Sequence, residues 1–261
     1  MTIIDAHTHI YPHKISEAAV QSIADFYEIP MAADGTLETL LKIGNDAGVS
    51  KFLVHSVATT PHQVERINDF LADAMKTHPN KLIGFMALHP DMEDPAKEID
   101  RAMALGFKGI KLHPDFQKFA IDDPKVFSIY EAAEGKLPIL FHIGDYRYNF
   151  SHPTQLATVL DNFPKLQVIG AHFAGWSEWD DAAKYLKTYR LWVDSSSSSY
   201  SLPPEKMRKM IDVFGTDFVL FGTDYPMWGP TKELEVLQSL GLTDEELEKI
   251  FYKNATELLS L

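Results

Sequence analysis

Residues 3–10 read IIDAHTHI, a short run in which apolar and polar side chains alternate. This alternation predicts a β-strand on which Asp5, His7 and His9 point to one face, because successive side chains of a strand face opposite sides. Further apolar runs along the chain also end in a polar residue. These residues are His55, His89, His113, His142, His172 and Asp224. Polar side chains at the end of strand after strand predict one shared site at one edge of a parallel sheet.

Eight runs of β-branched or aromatic residues alternate with amphipathic helical patterns. The predicted strands lie near residues 2–8, 51–57, 81–88, 107–113, 138–144, 166–172, 191–196 and 218–223. Strands that alternate with helices predict parallel pairing, and eight of them in 261 residues are typical of an α/β fold, the (β/α)8 TIM barrel, as one domain over residues 1–261. Residues 11–35 are longer than a plain connection, and we expect them to cover the barrel mouth.

The composition limits the classes of function. Lys and Arg total 24 and Asp and Glu total 37, so the formal net charge is −13, which argues against binding to nucleic acid or anionic membranes. No apolar run reaches the roughly 18 residues of a membrane span, and the early first strand leaves no room for a signal peptide. The chain has no cysteine, so nitrogen and oxygen must hold any metal. We expect a soluble cytoplasmic protein that acts on a small molecule, with a homodimer as one assembly that the sequence allows.

A candidate metal centre is the main chemical feature of the sequence. His7 and His9 alternate on the first strand, so both imidazoles can chelate one cation, although a pair of hydrogen-bonded core histidines has the same pattern. His142 and Asp224 stand at the equivalent position of two other strands, which favours the metal site. Three His and one Asp suit a single divalent metal, expected to be Zn²⁺ with Mn²⁺, Fe²⁺ or Co²⁺ as alternatives.

This arrangement resembles the amidohydrolase superfamily, and the resemblance covers essentially the whole chain. Four local strings resemble the amidohydrolase-related branch that includes aminocarboxymuconate semialdehyde decarboxylase. They are IDAHTHI at 4–10, GFKGIKLHP at 106–114, GAHFAGW at 170–176 and VLFGTDYPMW at 219–228. Together these motifs are specific for the superfamily and much less specific for one reaction.

The resemblance implies roles for individual residues. His7, His9 and His142 would be metal ligands, and Asp224 would bind the metal or its water. His172 would lie beside the metal-bound water or the substrate. Because a bound metal acidifies water and polarises carbonyl groups, Asp224 or His172 could then take up a proton and return it during the reaction.

Lys111 on the fourth predicted strand has two interpretations. In two-metal relatives a carbamylated lysine on this strand bridges both ions, which would imply a second metal here. The alternative, which we favour, is an unmodified ammonium that binds a substrate carboxylate. Because an ammonium repels a nearby dication, we expect Lys111 to lie lower in the barrel or to meet a counter-charge such as Asp5.

Four further residues are candidates for contact with the substrate. His55 and His113 are strand-end histidines that the backbone could equally satisfy. Arg147 could bind a carboxylate in a bidentate manner, or could be an exposed loop arginine. Trp176 could form an apolar wall of the pocket. Asp194, at the end of the seventh strand, is expected to cap a helix or accept hydrogen bonds.

The leading functional prediction is a metal-dependent hydrolase that uses metal-activated water on a small carboxylated substrate or a cyclic amide or lactone. The alternative is a non-oxidative decarboxylase with the same ligand set. We favoured hydrolysis because such decarboxylases are generally longer chains. A TatD-like nuclease would require an acidic ligand where Lys111 stands. A barrel that binds metal without turnover is the remaining, non-enzymatic alternative.

Overall fold

The computed structural model describes residues 2–261 and contains one eight-stranded parallel sheet with its strands in sequence order. The strands are β1 (Ile4–His9), β2 (Lys51–His55), β3 (Leu82–Ala87), β4 (Gly109–Leu112), β5 (Ile139–Phe141), β6 (Val168–Gly170), β7 (Trp192–Asp194) and β8 (Val219–Leu220). Each strand pairs with the next in parallel register. The predicted TIM barrel is therefore confirmed.

Helices follow the strands and form the outer layer. They are α1 (His13–Tyr27), α2 (Leu37–Asp46), α3 (Val64–Thr77), α4 (Pro95–Ala104), α5 (Pro114–Gln117), α6 (Phe127–Ala133), α7 (Pro153–Asn162), α8 (Ala171–Gly175), α9 (Trp179–Tyr185), α10 (Ser198–Ser201), α11 (Pro204–Phe214), α12 (Pro230–Ser239), α13 (Asp244–Glu248) and α14 (Asn254–Leu259). A π-helical turn, Lys249–Lys253, joins the last two. Across residues 2–261 no helix combines the length and apolar character needed to cross a membrane.

Backbone hydrogen bonds join the end of the barrel to its beginning. The amide of Ala6 donates to the carbonyl of Phe221 at 2.8 Å, and the amide of His9 donates to the carbonyl of Tyr225 at 2.7 Å. These bonds continue the ladder past the two residues of β8 and bring the segment after β8 against β1. The carboxyl ends of the first and last strands therefore meet at the same edge.

Several strands are shorter than the sequence pattern predicts, and the end of β8 shows why. The predicted strand ran over 218–223, whereas β8 is Val219–Leu220. At Gly222 an added Cβ would lie 3.0 Å from the Cβ of His7, so the backbone passes close to β1 here. Asp224 then adopts a left-handed conformation with φ of 66°. The apolar pattern continues through these residues because they remain buried, although their backbone is no longer extended.

The long connection after β1 covers the barrel mouth, as expected. Its helix α1 ends at Tyr27, which is buried, and both Tyr27 and Ile23 line the pocket at the carboxyl ends of the strands. The hydroxyl of Tyr27 lies 2.8 Å from Nε2 of His113. This hydrogen bond fixes the end of α1 above β4.

Candidate active site

The carboxyl ends of the strands surround a narrow pocket at the barrel mouth. Its lining comes from five strand ends together with α1 and neighbouring loops. The residues are His7, His9, Ile23, Tyr27, Lys111, His113, Phe116, His142, His172, Asp224, Pro226 and Met227. The structure thus brings all four expected metal ligands to one pocket, together with His172, Lys111 and His113.

A buried carboxylate orients His7. Nδ1 of His7 donates to Oδ2 of Asp194 at 2.8 Å, and both side chains are almost wholly buried. Burial alone would raise the pKa of Asp194, but its electrostatic interaction and its hydrogen bond with His7 outweigh burial and lower this pKa to about 2. A proton held at Nδ1 leaves the lone pair of Nε2 facing the pocket. A histidine whose other nitrogen donates to a carboxylate is the usual arrangement of a metal ligand.

Asp224 lies between the two histidines of β1. Its Oδ1 is 3.4 Å from Nε2 of His7 and 3.4 Å from Nε2 of His9. Burial opposes ionisation of Asp224, but the charge of His7 and the hydrogen bond with His9 hold its pKa well below the usual range. Oδ2 of Asp224 accepts a hydrogen bond from Oγ of Ser197 at 2.7 Å. The carboxylate is therefore ionised and held in place.

His172 and His142 form a second pair in the pocket. Nδ1 of His172 donates to the carbonyl of Ser196 at 2.9 Å, so Nε2 of His172 carries the lone pair and lies 3.2 Å from Nδ1 of His142. Nε2 of His172 is also 3.9 Å from Oδ2 of Asp224. Burial lowers the pKa of His172 to about 4 and that of His142 well below its usual range, so both imidazoles are neutral near pH 7.

Aromatic rings form one wall of the pocket. The ring of His113 stacks on that of His142, with centroids 4.1 Å apart and an interplanar angle of 9°. It also packs against the ring of Phe116 at 4.1 Å, with the two rings tilted by 40°. Tyr27 holds His113 through the hydrogen bond described above. Flat walls of this kind suit a planar ligand.

Lys111 lies inside the pocket wall and is buried. Its Nζ is 3.2 Å from Nε2 of His7, and therefore donates to the lone pair that a metal ion would take. Burial lowers the pKa of Lys111 to about 8, while the carboxylates of Asp224 and Asp194 favour its charged form. Metal binding at His7 requires Lys111 to give up this contact.

The prediction that Asp5 provides the counter-charge of Lys111 was wrong. Asp5 instead accepts hydrogen bonds from the hydroxyl of Thr223 at 2.7 Å and from its amide at 3.0 Å. Burial raises the pKa of Asp5 to about 7. Asp5 therefore ties the start of β1 to the segment after β8, and Asp224 and Asp194 provide the negative charge near Lys111.

His55 lies closer to the metal-binding residues than a substrate contact requires. Its ring centroid is 4.3 Å from that of His9 and 4.9 Å from that of His7. The side chain is completely buried, and neither ring nitrogen has a hydrogen-bond partner. His55 thus lies behind the pocket, beside the two histidines of β1.

Arg147 and Trp176 lie at the rim. Nε and Nη2 of Arg147 donate to the two carboxylate oxygens of Asp145 at 2.9 and 2.7 Å, and its Nη1 donates to the carbonyl of Phe26 at 2.6 Å. The guanidinium therefore already holds one carboxylate of the protein itself. Trp176 packs against Tyr27, with ring centroids 5.0 Å apart. Contact of Arg147 or Trp176 with a substrate stays a prediction.

The donor set fits a divalent metal ion. Two overlapping groups of side chains have possible ligand atoms within 4.8 Å of one another: His7, His9 and His55, and His7, His172 and Asp194. His142 and Asp224 line the same pocket, although they lie outside these two groups. Nδ1 of His9 and Nε2 of His142 are buried without a partner. Neutral imidazoles beside an ionised carboxylate are the chemistry that Zn²⁺ and Mn²⁺ require.

A larger cleft opens from the pocket between α1 and α3. It has a volume of about 1300 Å³ and shares His9, Ile23 and Phe116 with the inner pocket. Its other walls include Ile67 and Arg66 of α3. A small molecule can therefore reach the strand ends from this side.

Sequence reasoning missed the supporting role of β7 and the serines after it. Asp194 accepts hydrogen bonds from Nδ1 of His7 and from the amide of His172, at 2.8 and 3.0 Å. Oγ of Ser196 contacts both histidines and Asp194. The available signal was the apolar strand that directly precedes a serine run, because such a run is buried only where its hydroxyls have partners.

Comparison with known proteins agrees with the geometry. A family model described as amidohydrolase matches residues 4–261. The chain belongs to the amidohydrolase family. Among curated relatives of this amidohydrolase, decarboxylase orsB of Emericella nidulans is 26% identical over an alignment of 254 residues. The match covers 74% of this chain and 75% of the relative.

Solved structures similar to this amidohydrolase include two decarboxylases. One is 5-carboxyvanillate decarboxylase from Sphingomonas paucimobilis, with 16% identity, a TM-score of 0.79 and coverage of 100% of this chain and 99% of that chain. The other is dihydroxybenzoic acid decarboxylase from Polaromonas sp. JS666 with bound manganese and the inhibitor 2-nitroresorcinol, with 16% identity, a TM-score of 0.78 and coverage of 100% and 97%. At this identity the likeness is one of fold.

Proposed function

We propose that this amidohydrolase is a metal-dependent carboxy-lyase that removes CO₂ from a small hydroxylated aromatic acid. The observation that carries the proposal is the composition of the pocket, in which His7 and His9, the expected metal ligands, face Asp224 and His172, the residues expected to relay a proton. Decarboxylation needs both functions, because the substrate must be held by its oxygens while a proton replaces CO₂ on carbon.

The names of the relatives favour decarboxylation over the hydrolysis that we first expected. The curated relative and both structural relatives are called decarboxylases. The structural match also spans 97 to 99% of the two structural relatives, so a barrel of this size is compatible with the fold of a decarboxylase.

The metal would be held by His7, His9, His142 and Asp224. When bound, a divalent cation would polarise the carboxylate and an adjacent hydroxyl of the substrate. Manganese is present in one structural relative, so Mn²⁺ is the first metal to test, with Zn²⁺ as the alternative that the donor atoms equally suit.

Asp224 and His172 would manage the proton. In the reaction the bond between the ring carbon and the carboxylate breaks, its electron pair stays on the ring carbon, and that carbon takes up one proton. Because the pKa of Asp224 is low, its carboxylate must first accept a proton from solvent, which it then delivers to the ring carbon. His172, 3.9 Å away, can exchange that proton with it.

The walls of the pocket favour a flat anionic substrate. The stacked rings of His113 and His142 and the ring of Phe116 provide planar surfaces. Lys111 has a pKa of about 8 and is therefore mostly cationic at pH 7, so it can attract a carboxylate once it leaves His7. An aromatic acid with a neighbouring hydroxyl fits both features.

The test is a decarboxylation assay on the purified full chain loaded with Mn²⁺ or Zn²⁺. The panel contains 2,6-dihydroxybenzoate, 5-carboxyvanillate and other ortho-hydroxybenzoates, and both CO₂ and the phenol are quantified. We expect CO₂ release that disappears with a chelator and falls at least about 100-fold in Asp224→Asn. Asp217→Asn is the matched control, because Asp217 lies on the surface with Lys249.

Hydrolytic substrates provide the opposing arm of the experiment. The same metal-loaded preparation is assayed with small lactones, amides and esters. Metal-dependent hydrolysis of one of them, with no CO₂ from any aromatic acid, would contradict the carboxy-lyase and restore the hydrolase.

A further inference from the structure

His55 is the strand-end residue whose position the expected ligand set does not explain. It is the last residue of β2 and stands opposite His9 in the register of the two strands. The ring of His55 meets that of His9 nearly edge-on, at 87°, and that of His7 at 72°. Its side chain is therefore directed at the two metal-binding histidines of β1.

The ring of His55 has no partner within the protein. Nδ1 and Nε2 are both buried, and neither nitrogen donates or accepts a hydrogen bond. The residue is 0% exposed. Burying a polar atom without a partner is unfavourable, so such an atom in a native fold needs an occupant to satisfy it.

The imidazole nitrogens around His55 indicate that this occupant is a metal ion. His7, His9 and His55 each place one ring nitrogen within 4.8 Å of the other two. Two nitrogens bound to one ion at about 2.1 Å each can lie up to about 4.2 Å apart, so small ring movements suffice. Nδ1 of His9 is also buried without a hydrogen-bond partner.

We propose that His55 is a ligand of the divalent cation held by His7 and His9, contributed by β2. The inference rests on the metal centre of the proposed function and is independent of the reaction catalysed there. A further imidazole makes the site richer in nitrogen. Nitrogen donors favour Zn²⁺ and Co²⁺ over Mn²⁺ more strongly than oxygen donors do. A bound His55 would therefore shift the metal preference of the site toward Zn²⁺ and Co²⁺.

The test measures metal binding in His55→Asn and in a matched control, His89→Asn. His89 is also buried at a strand end, but its Nδ1 accepts a hydrogen bond from the amide of Asp91 at 3.1 Å. Affinity for Zn²⁺ and Mn²⁺ is measured by competition with a chelator, and X-ray absorption of the Zn²⁺-loaded proteins counts bound imidazoles. We expect His55→Asn to lose one imidazole and to bind Zn²⁺ at least about tenfold more weakly, with a smaller loss for Mn²⁺.

An unchanged imidazole count and unchanged Zn²⁺ affinity in His55→Asn would overturn the proposal, as would an equal loss in His89→Asn. If His55→Asn does not fold, a crystal structure of the wild-type protein with Zn²⁺ decides. A nitrogen of His55 bonded to the ion supports the proposal, and a ring that stays outside bonding distance overturns it. Loss of the carboxy-lyase proposal would leave these results untouched, because none of them depends on turnover.

Discussion

The pairing of Asp194 with His7 determines which nitrogen of His7 is available to a metal. Oδ2 of Asp194 accepts the Nδ1 proton at 2.8 Å, so the Nε2 lone pair faces Asp224 and Lys111. Asp194 itself does not line the pocket. It therefore acts through the orientation and basicity of His7, as carboxylates behind a metal-ligating histidine do.

Asp194→Asn should weaken metal binding while the fold is kept. An amide is isosteric with the carboxylate but carries no charge, so His7 becomes a poorer ligand. We expect the dissociation constant for Zn²⁺ to rise by roughly 10- to 100-fold, measured by chelator competition. Asp217→Asn should leave it unchanged. Equal affinities in Asp194→Asn and the wild type would show that Asp194 does not support the site.

The sequence predicts the site residues that lie at the ends of strands. It does not predict the residues whose role depends on a contact with a distant residue. His7, His9, His142 and Asp224 stood out because each closes an apolar run, and the pocket contains all four. The role of Asp194 depends on a bond to His7, 187 positions away in the chain. No local pattern encodes a partner at that distance.

Among the elements, β3 and β4 show how closely the barrel is packed. Gly109 begins β4, and an added Cβ there would lie 2.4 Å from the ring of Phe85, which is fully buried in β3. A ring in the middle of a packed barrel cannot move away without displacing its neighbours. The absence of a side chain at Gly109 therefore makes room for Phe85.

Gly109→Ala should destabilise the protein by roughly 1–3 kcal/mol through overpacking. The measurement is the free energy of unfolding in urea. Gly229→Ala is the matched control, since φ at Gly229 is −116° and an added Cβ meets no atom within 4 Å. If both variants were equally stable, the contact between Gly109 and Phe85 would have no energetic weight.

The elements were predictable from periodicity, but their ends were not. All eight strands lie where the apolar patterns predict them, and the connection over residues 11–35 covers the mouth. The pattern predicts a strand over 218–223, whereas β8 ends at Leu220 and Asp224 adopts a left-handed conformation that brings its carboxylate into the pocket. Burial continues through this turn, so hydrophobicity alone cannot mark where the strand stops.

For the molecule as a whole, the unusual feature is the number of buried titratable groups around the mouth. Burial lowers the pKa of His9 and His172 to about 4 and lowers it well below the usual range in three more histidines, which are His55, His113 and His142. Burial raises the pKa of Asp5 and that of Asp115 to about 7, and it raises the pKa of Glu233 well above its usual range. The two sets have opposite effects on stability.

The metal-free protein should lose stability as the pH falls from 7 to 5. Below pH 6.5 the five histidines take up protons only in the unfolded state, which favours unfolding. The three carboxyls hold their protons in the folded state over this range and oppose that effect, but the histidines outnumber them. Each proton that the unfolded state binds beyond those bound by the folded state changes the free energy of unfolding by roughly 1.4 kcal/mol per pH unit. Urea unfolding in the presence of a chelator at pH 7.5, 6.5 and 5.5 measures the slope, and a stability that rises toward pH 5.5 would contradict this account.

The function of the whole molecule was predictable from sequence to the level of the superfamily only. The four expected ligand positions, which belong to three strands, are specific for an amidohydrolase barrel, and the family match over 4–261 agrees. The choice between hydrolysis and decarboxylation depends on the shape and polarity of the pocket, which arise from segments far apart in the chain. The expected homodimer stays a prediction, which light scattering can test.

The most direct test of the carboxy-lyase account is an isotope experiment on the metal-loaded protein with an aromatic acid from the panel. The reaction runs in D₂O enriched in ¹⁸O, and mass spectrometry and NMR examine the product. The account predicts a phenol with one deuterium on the carbon that carried the carboxylate, and no oxygen taken from water. Recovery of the acid with its carboxylate intact and with ¹⁸O exchanged into that carboxylate would contradict decarboxylation and show that the site delivers water to the carboxylate carbon.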